Sequence, residues 1–119
     1  MEKIWYSYWG KDYSGNMPAY YPNSVLPELE NLKENYIPIR EEVLQLLATQ
    51  KTKPYSNYLA KKDKWQVLWF YFWGMKNRNA LSEITVLKKC LNGISNLTNA
   101  SISILEPNTV IDFHQGDCN

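Results

Sequence analysis

An α+β fold is predicted for this chain, and three observations predict it. Residues 24–50 carry apolar side chains at helical spacing. Trp65-Gln-Val-Leu-Trp-Phe-Tyr-Phe-Trp73 is a short aromatic and β-branched run that stops at Gly74. Near the end, residues 101–105 and 110–114 alternate as strands do, with the turn formers Glu106-Pro-Asn-Thr109 between them. A length of 119 residues suits one domain with a modest core. No repeat or linker divides it.

Composition narrows the function classes. A net charge of +1, with acids and bases interspersed, gives no electrostatic reason to expect nucleic acid or an anionic membrane as partner. The longest apolar run, Val67–Trp73, is far too short to span a bilayer. Cys90 and Cys118 lie far apart and form no C-x-x-C pair, so a reducing, cytoplasmic setting is the expectation. Asn96-Leu-Thr98 and Asn99-Ala-Ser101 fit the glycosylation acceptor pattern, but no secretory signal precedes them.

Taken in order, residues 1–23 begin with Ile4-Trp-Tyr-Ser-Tyr-Trp9, compatible with a short strand, and continue as an aromatic loop broken by Gly10, Gly15, Pro18 and Pro22. The helical region follows. Ser24 is a candidate cap, Pro27 suits a first turn, and Leu29, Leu32, Tyr36, Val43, Leu46 and Leu47 form the expected buried stripe. Pro38 should break or kink it, because proline lacks an N–H and its ring crowds the carbonyl of Glu34. Glu41 and Glu42 are adjacent and cannot face one another on a helix, so a solvated face is expected rather than an acid/base pair.

A polar connection with Lys61-Lys-Asp-Lys64 leads to the aromatic run. Read as a regular strand buried on both faces, it places Trp65, Val67, Trp69, Tyr71 and Trp73 together. Asn79 or Ser82 is then a candidate cap for a helix carrying Leu81, Ile84, Leu87, Cys90 and Leu91, ending at Asn92-Gly93. Cys90 falls on its buried stripe. In the terminal pair, Ile102 and Ile104 share one face and Ser101, Ser103 and Leu105 the other. Val110, Asp112 and His114 share a face in the second run. His114 is the sole histidine.

These terminal residues carry a resemblance. A small-residue strand, Leu105-Glu-Pro107, Thr109-Val-Ile111 and His114-Gln-Gly116 are similar to the iron-binding entry of the aspartyl/asparaginyl β-hydroxylase family, which are Fe(II)/2-oxoglutarate-dependent dioxygenases. Ile39-Arg-Glu-Glu-Val43, the aromatic run ending in Gly74, and the 81–91 helix match that family in order over residues 24–119. The resemblance implies N-terminal helices packed on a double-stranded β-helix of the cupin type. His114 then corresponds to the first iron ligand, and Gly116 occupies the place where relatives outside the family carry a carboxylate ligand. Ser103 corresponds to a hydroxyl that contacts 2-oxoglutarate. The implied reaction hydroxylates an unactivated C–H of an aspartyl, asparaginyl or related substrate, in a peptide or small molecule, with O2 consumed and succinate and CO2 formed.

The departures are also visible. Asn108 replaces the family's glycine after the turn proline and tolerates the same left-handed backbone. Phe113 replaces a proline. Asp112 shares the face of His114 and is a surrogate ligand by position, although its place before the histidine suits an outer contact or solvent better. The family's second iron-binding histidine and its cosubstrate-anchoring arginine have no counterpart in residues 1–119. The expectation is therefore a single domain, the N-terminal portion of a hydroxylase domain cut before the distal barrel strands and inactive by itself. The other reading is a noncatalytic, aromatic-rich module that binds a protein or ligand.

Overall fold

In a computed structural model, residues 12, 14–16, 18, 20–50, 52–54 and 64–112 are described. Helices and an antiparallel sheet make it an α+β protein. Two 3-10 turns, Asn23–Val25 and Pro27–Leu29, lead into α1 (Glu30–Glu34) and α2 (Tyr36–Thr49). Pro27 opens its turn as expected, but Ser24 lies inside a turn and caps nothing.

The break between α1 and α2 falls at Asn35, three residues before Pro38. Ending one helix there places Pro38 in the first turn of the next, where the missing N–H costs no hydrogen bond. Asn35 secures the junction by donating from Nδ2 to the Asn31 carbonyl at 2.8 Å. Rotation at the break also changes which side chains face inward. Leu46 is buried and Leu32, Ile39, Val43 and Leu47 pack around it, whereas the expected stripe members Leu29 and Tyr36 are exposed.

The sheet is built on β2 (Trp65–Phe72). The short strands β1 (Lys53–Pro54) and β3 (Met75–Lys76) pair with it, as does β4 (Ala100–Leu105), all antiparallel. Between β3 and β4 the chain forms α3 (Arg78–Ser82) and α4 (Val86–Asn92). These helices cover one face of the sheet: Leu68, Phe70 and Tyr71 bury against Ala80, Leu81, Ile84, Leu87 and Leu91, with Ile102 beside them.

A β-bulge decides the faces of β2. Trp69 pairs with Ser101 but Tyr71 pairs with Ala100, leaving Phe70 as an extra residue. Phe70 and Tyr71 therefore both reach the helical layer, and the expected alignment of Tyr71 with Trp65, Val67 and Trp69 is corrected. Strand parity reverses past the bulge, so Phe72 turns to the side of Trp69, their rings 5.2 Å apart edge to face. Trp73 is also not a strand residue. With Gly74 it makes a two-residue hairpin turn at φ 49° and 77°.

Asn77 ties the bulge to α3. Its backbone N–H bonds the Phe70 carbonyl at 2.8 Å and its Nδ2 the Trp69 carbonyl at 2.9 Å. Its Oδ1 accepts the Ala80 N–H, so Asn77, not Asn79 or Ser82, caps the helix. The single helix expected over 81–91 is divided at residues 83–85. Replacing Asn77 by alanine should cost about 1–2 kcal/mol. Asp in its place should recover the cap but lose the bond to Trp69, giving an intermediate midpoint in urea denaturation.

Candidate functional site

The first predicted site residue, Ser103, stands at the middle of β4, paired with Val67 of β2. Alternation works here as the sequence implied. Ile102 and Ile104 are half-buried, and Ser101, Ser103 and Leu105 are exposed on the other face. That face also carries Trp65, Val67, Trp69 and, past the bulge, Phe72.

One hydrogen bond defines the chemistry of this face. The Trp65 indole Nε1 donates to Ser103 Oγ at 2.7 Å. An indole N–H has no acceptor capacity, so Ser103 Oγ is the acceptor of this bond. Its own proton is thereby directed elsewhere, and the hydroxyl is set as a donor toward an incoming oxygen. Any group with an acceptor oxygen complements it. The β-strand pairing supplies the rigidity: Trp65 pairs with Leu105, one step along the strand from the Val67–Ser103 pair on the same face.

Below Leu105 the chain turns through Glu106-Pro-Asn-Thr109. Asn108 adopts φ 58°, the left-handed conformation expected of it in place of glycine. The Glu106 N–H bonds the Lys64 carbonyl at 2.9 Å, extending the strand pairing to the foot of the turn. Here Lys64, Pro107, Asn108, Thr109 and Val110 line a cleft of about 480 Å³.

Beyond the turn the expectation of a second strand is not met over Val110–Asp112, which has no regular strand structure. A strand exists only with a ladder partner, and none is paired to these residues among those described. His114, the predicted metal ligand, lies outside the described residues together with Phe113, Gly116 and Cys118. Asp112 is exposed. Among the described residues no three of His, Cys, Asp and Glu cluster as a metal site would require. Among the described residues Ser103 thus offers a hydroxyl held by Trp65, and a ligand set for iron is not assembled.

Other expectations can be placed. Cys90 is a buried free thiol, its Sγ 3.6 Å from the Asn31 carbonyl, as its position on the apolar stripe implied. Among the described residues no helix is long and apolar enough to cross a membrane. Glu41 is exposed beside Arg40. Glu42, in contrast, leaves the solvated face expected for it and accepts the backbone N–H groups of Thr85, Val86 and Leu87 at 2.8, 2.8 and 3.0 Å. It thus caps α4 from another helix. Burial of Glu42 pushes its pKa up, but the three N–H donors outweigh this and hold it below the ordinary value of 4.5.

Trp65 is the site residue that sequence reasoning undervalued. Its position on the same strand face as Val67 was readable, but its partner lies 38 residues away. A comparison with protein-family models matches residues 33–119 to the family described as aspartyl/asparaginyl beta-hydroxylase. Neither curated proteins nor solved structures give a match.

Proposed function

Because this chain belongs to the aspartyl/asparaginyl beta-hydroxylase family, we propose that its β2–β4 face is the cosubstrate wall of a 2-oxoglutarate-dependent hydroxylase. The observation that carries this reading is the Trp65–Ser103 hydrogen bond, which leaves the proton of the exposed Ser103 hydroxyl available to a ligand within the matched region. In the proposal Ser103 donates to a 2-oxoglutarate carboxylate, Trp65 holds the hydroxyl, and His114 is an iron ligand. Fe(II) with 2-oxoglutarate supplies O2-dependent hydroxylation of a C–H bond when bound. The substrate is an aspartyl- or asparaginyl-type group, in a peptide or a related small molecule, and the complete architecture is a double-stranded β-helix.

What the residues themselves contribute is positioning. Ser103 orients one end of the cosubstrate through a charge-assisted bond, and the indoles of Trp65 and Trp69 flank that position with apolar surface. The 119 residues contain one histidine, so they offer a single imidazole for iron. We infer that they are silent in turnover by themselves and bind iron weakly.

Two titrations test the proposal. Ser103→Ala should weaken 2-oxoglutarate binding, measured by calorimetry under anaerobic conditions, by about tenfold, the value of one hydrogen bond to a charged group. In amide NMR spectra, Mn(II) used as a paramagnetic probe should broaden resonances around His114, and His114→Ala should remove that broadening. Unchanged cosubstrate binding in the serine variant would sink the role of Ser103. Unchanged broadening in the histidine variant would remove His114 from the metal site.

A second reading has one observation in its favour. Phe72, Trp73 and Met75 are 44%, 60% and 66% exposed at the β2–β3 hairpin, a surface that suits a noncatalytic binding module. Absence of 2-oxoglutarate binding, with a partner lost on Trp73→Ser, would favour that reading over the hydroxylase.

A further inference from the structure

The β2–β3 hairpin stands at the far end of β2 from Trp65, and its tip joins exposed apolar surface to a strained backbone. Phe72 and Met75 form a cross-strand pair, Trp73 sits in the turn between them, and all three side chains are exposed. Trp73 holds φ 49°, which a bulky side chain disfavours and asparagine or glycine adopts readily. Two hydrogen bonds fix it there: the Trp73 N–H to Asn99 Oδ1 at 2.8 Å and the Gly74 N–H to the Thr98 carbonyl at 2.9 Å. An indole at this place costs the turn backbone energy and returns little burial.

Charge is gathered beside the tip. The even balance of the whole chain conceals this, because residues 65–105 hold Lys76, Arg78, Lys88 and Lys89 against the single acid Glu83. Glu83 is engaged elsewhere, by Thr49 and Gln50. Lys76 and Arg78 follow Met75 closely, both exposed and neither ion-paired among the described residues. Lys76 pairs with Tyr71 and lies over its ring, on the opposite strand face from Phe72 and Met75. The cation therefore stands behind the apolar tip rather than within it.

We propose that this hairpin tip seats the protein on an anionic phospholipid surface. Trp73, Phe72 and Met75 enter the boundary between headgroups and acyl chains, where an indole keeps its ring in apolar surroundings and its N–H wet. Lys76 and Arg78 meet the lipid phosphates just above that boundary. A purely apolar partner would leave both cations unanswered, whereas an anionic bilayer answers the apolar tip and the charge together. The inference does not depend on the hydroxylase reading, since the Trp65–Ser103 pair lies toward the other end of β2.

Flotation of the whole chain with vesicles of equal parts phosphatidylcholine and phosphatidylserine, and with vesicles of phosphatidylcholine alone, tests the proposal. The chain should float with the mixed vesicles, poorly with the neutral ones, and less as salt is raised. Lys76→Gln and Arg78→Gln should each weaken partitioning about fivefold, the contribution of one cation near an anionic surface. Trp73→Asn is the decisive variant, because Asn-Gly suits this turn. Its urea midpoint should hold or rise while its vesicle binding falls at least as far as in either charge variant. Equal binding to both kinds of vesicle, binding to neither, or binding undiminished in Trp73→Asn overturns the proposal. Self-association in sedimentation that Trp73→Asn abolishes, in place of vesicle binding, overturns it too and assigns the tip to a contact between copies.

Discussion

Truncation of Phe70 to alanine is expected to destabilise the fold by about 3–5 kcal/mol, the largest effect of any single substitution considered for this chain. Among the described residues Phe70, 2% exposed, and Leu46 are the largest fully buried side chains. Phe70 is also the extra residue of the bulge, so its ring fills space between the sheet and the helices that no ladder partner shares. Ala80, fully buried in the same cluster, has no spare atoms to fill the void. The loss is a large part of the roughly 5–15 kcal/mol typical of a domain. Urea denaturation should show the midpoint falling with little change in slope. Phe72→Ala is the control: this ring is 44% exposed on the opposite face and should cost only about 1 kcal/mol, chiefly its edge contact with Trp69. Equal losses at the two positions would contradict the bulge.

The second large effect belongs to Glu42. Replacing it with glutamine should cost about 1–3 kcal/mol at neutral pH, because three backbone N–H groups at the start of α4 lose a charged acceptor. Its pKa is depressed in the folded chain, the three N–H bonds outweighing the opposing effect of burial. The stabilisation is therefore fully present above the unfolded value near 4.5 and fades as pH falls through the lower folded value. Stability curves of the wild type and Glu42→Gln should lie apart at pH 7 and approach one another in acid. A constant separation down to acid pH would show that the carboxylate charge is not what α4 requires. A second contact lies at the C-terminal end of α2, where Glu83 accepts the Thr49 hydroxyl at 2.8 Å and also the Gln50 side chain. Two carboxylates thus fasten α2 to the α3–α4 segment from opposite directions.

Much of this arrangement was legible in the residues because local rules sufficed. The Ser/Ile alternation of β4 placed Ser103 on the correct face, Asn108 signalled a left-handed turn, and Pro38 announced a break. The failures share a cause. Glu42 finds its partners 43 to 45 residues away, and no pattern near it encodes them. Tyr71 was placed by a period of two that one inserted residue overrides. Asn77 was missed as a cap because helical spacing suggested one longer helix, whereas the turn from β3 demands an earlier start. His114 is different again: the chemistry attached to it comes from family resemblance, and the described geometry ends at Asp112.

The bulge has a bearing on how this strand tolerates changes of length. Removal of one residue from a regular strand exchanges the faces of everything that follows. At Phe70 the opposite holds: deletion would let Tyr71 follow Trp69 directly, opposite Ala100, with every other side chain still on its present side. The deletion would cost the interior a ring but leave the Trp65, Trp69 and Ser103 face in register. Deleting Val67 instead would exchange Trp65 and Gln66 relative to the rest of the strand, separating the indole from the serine. Position 70 is where the strand's length can change without changing what its open face presents.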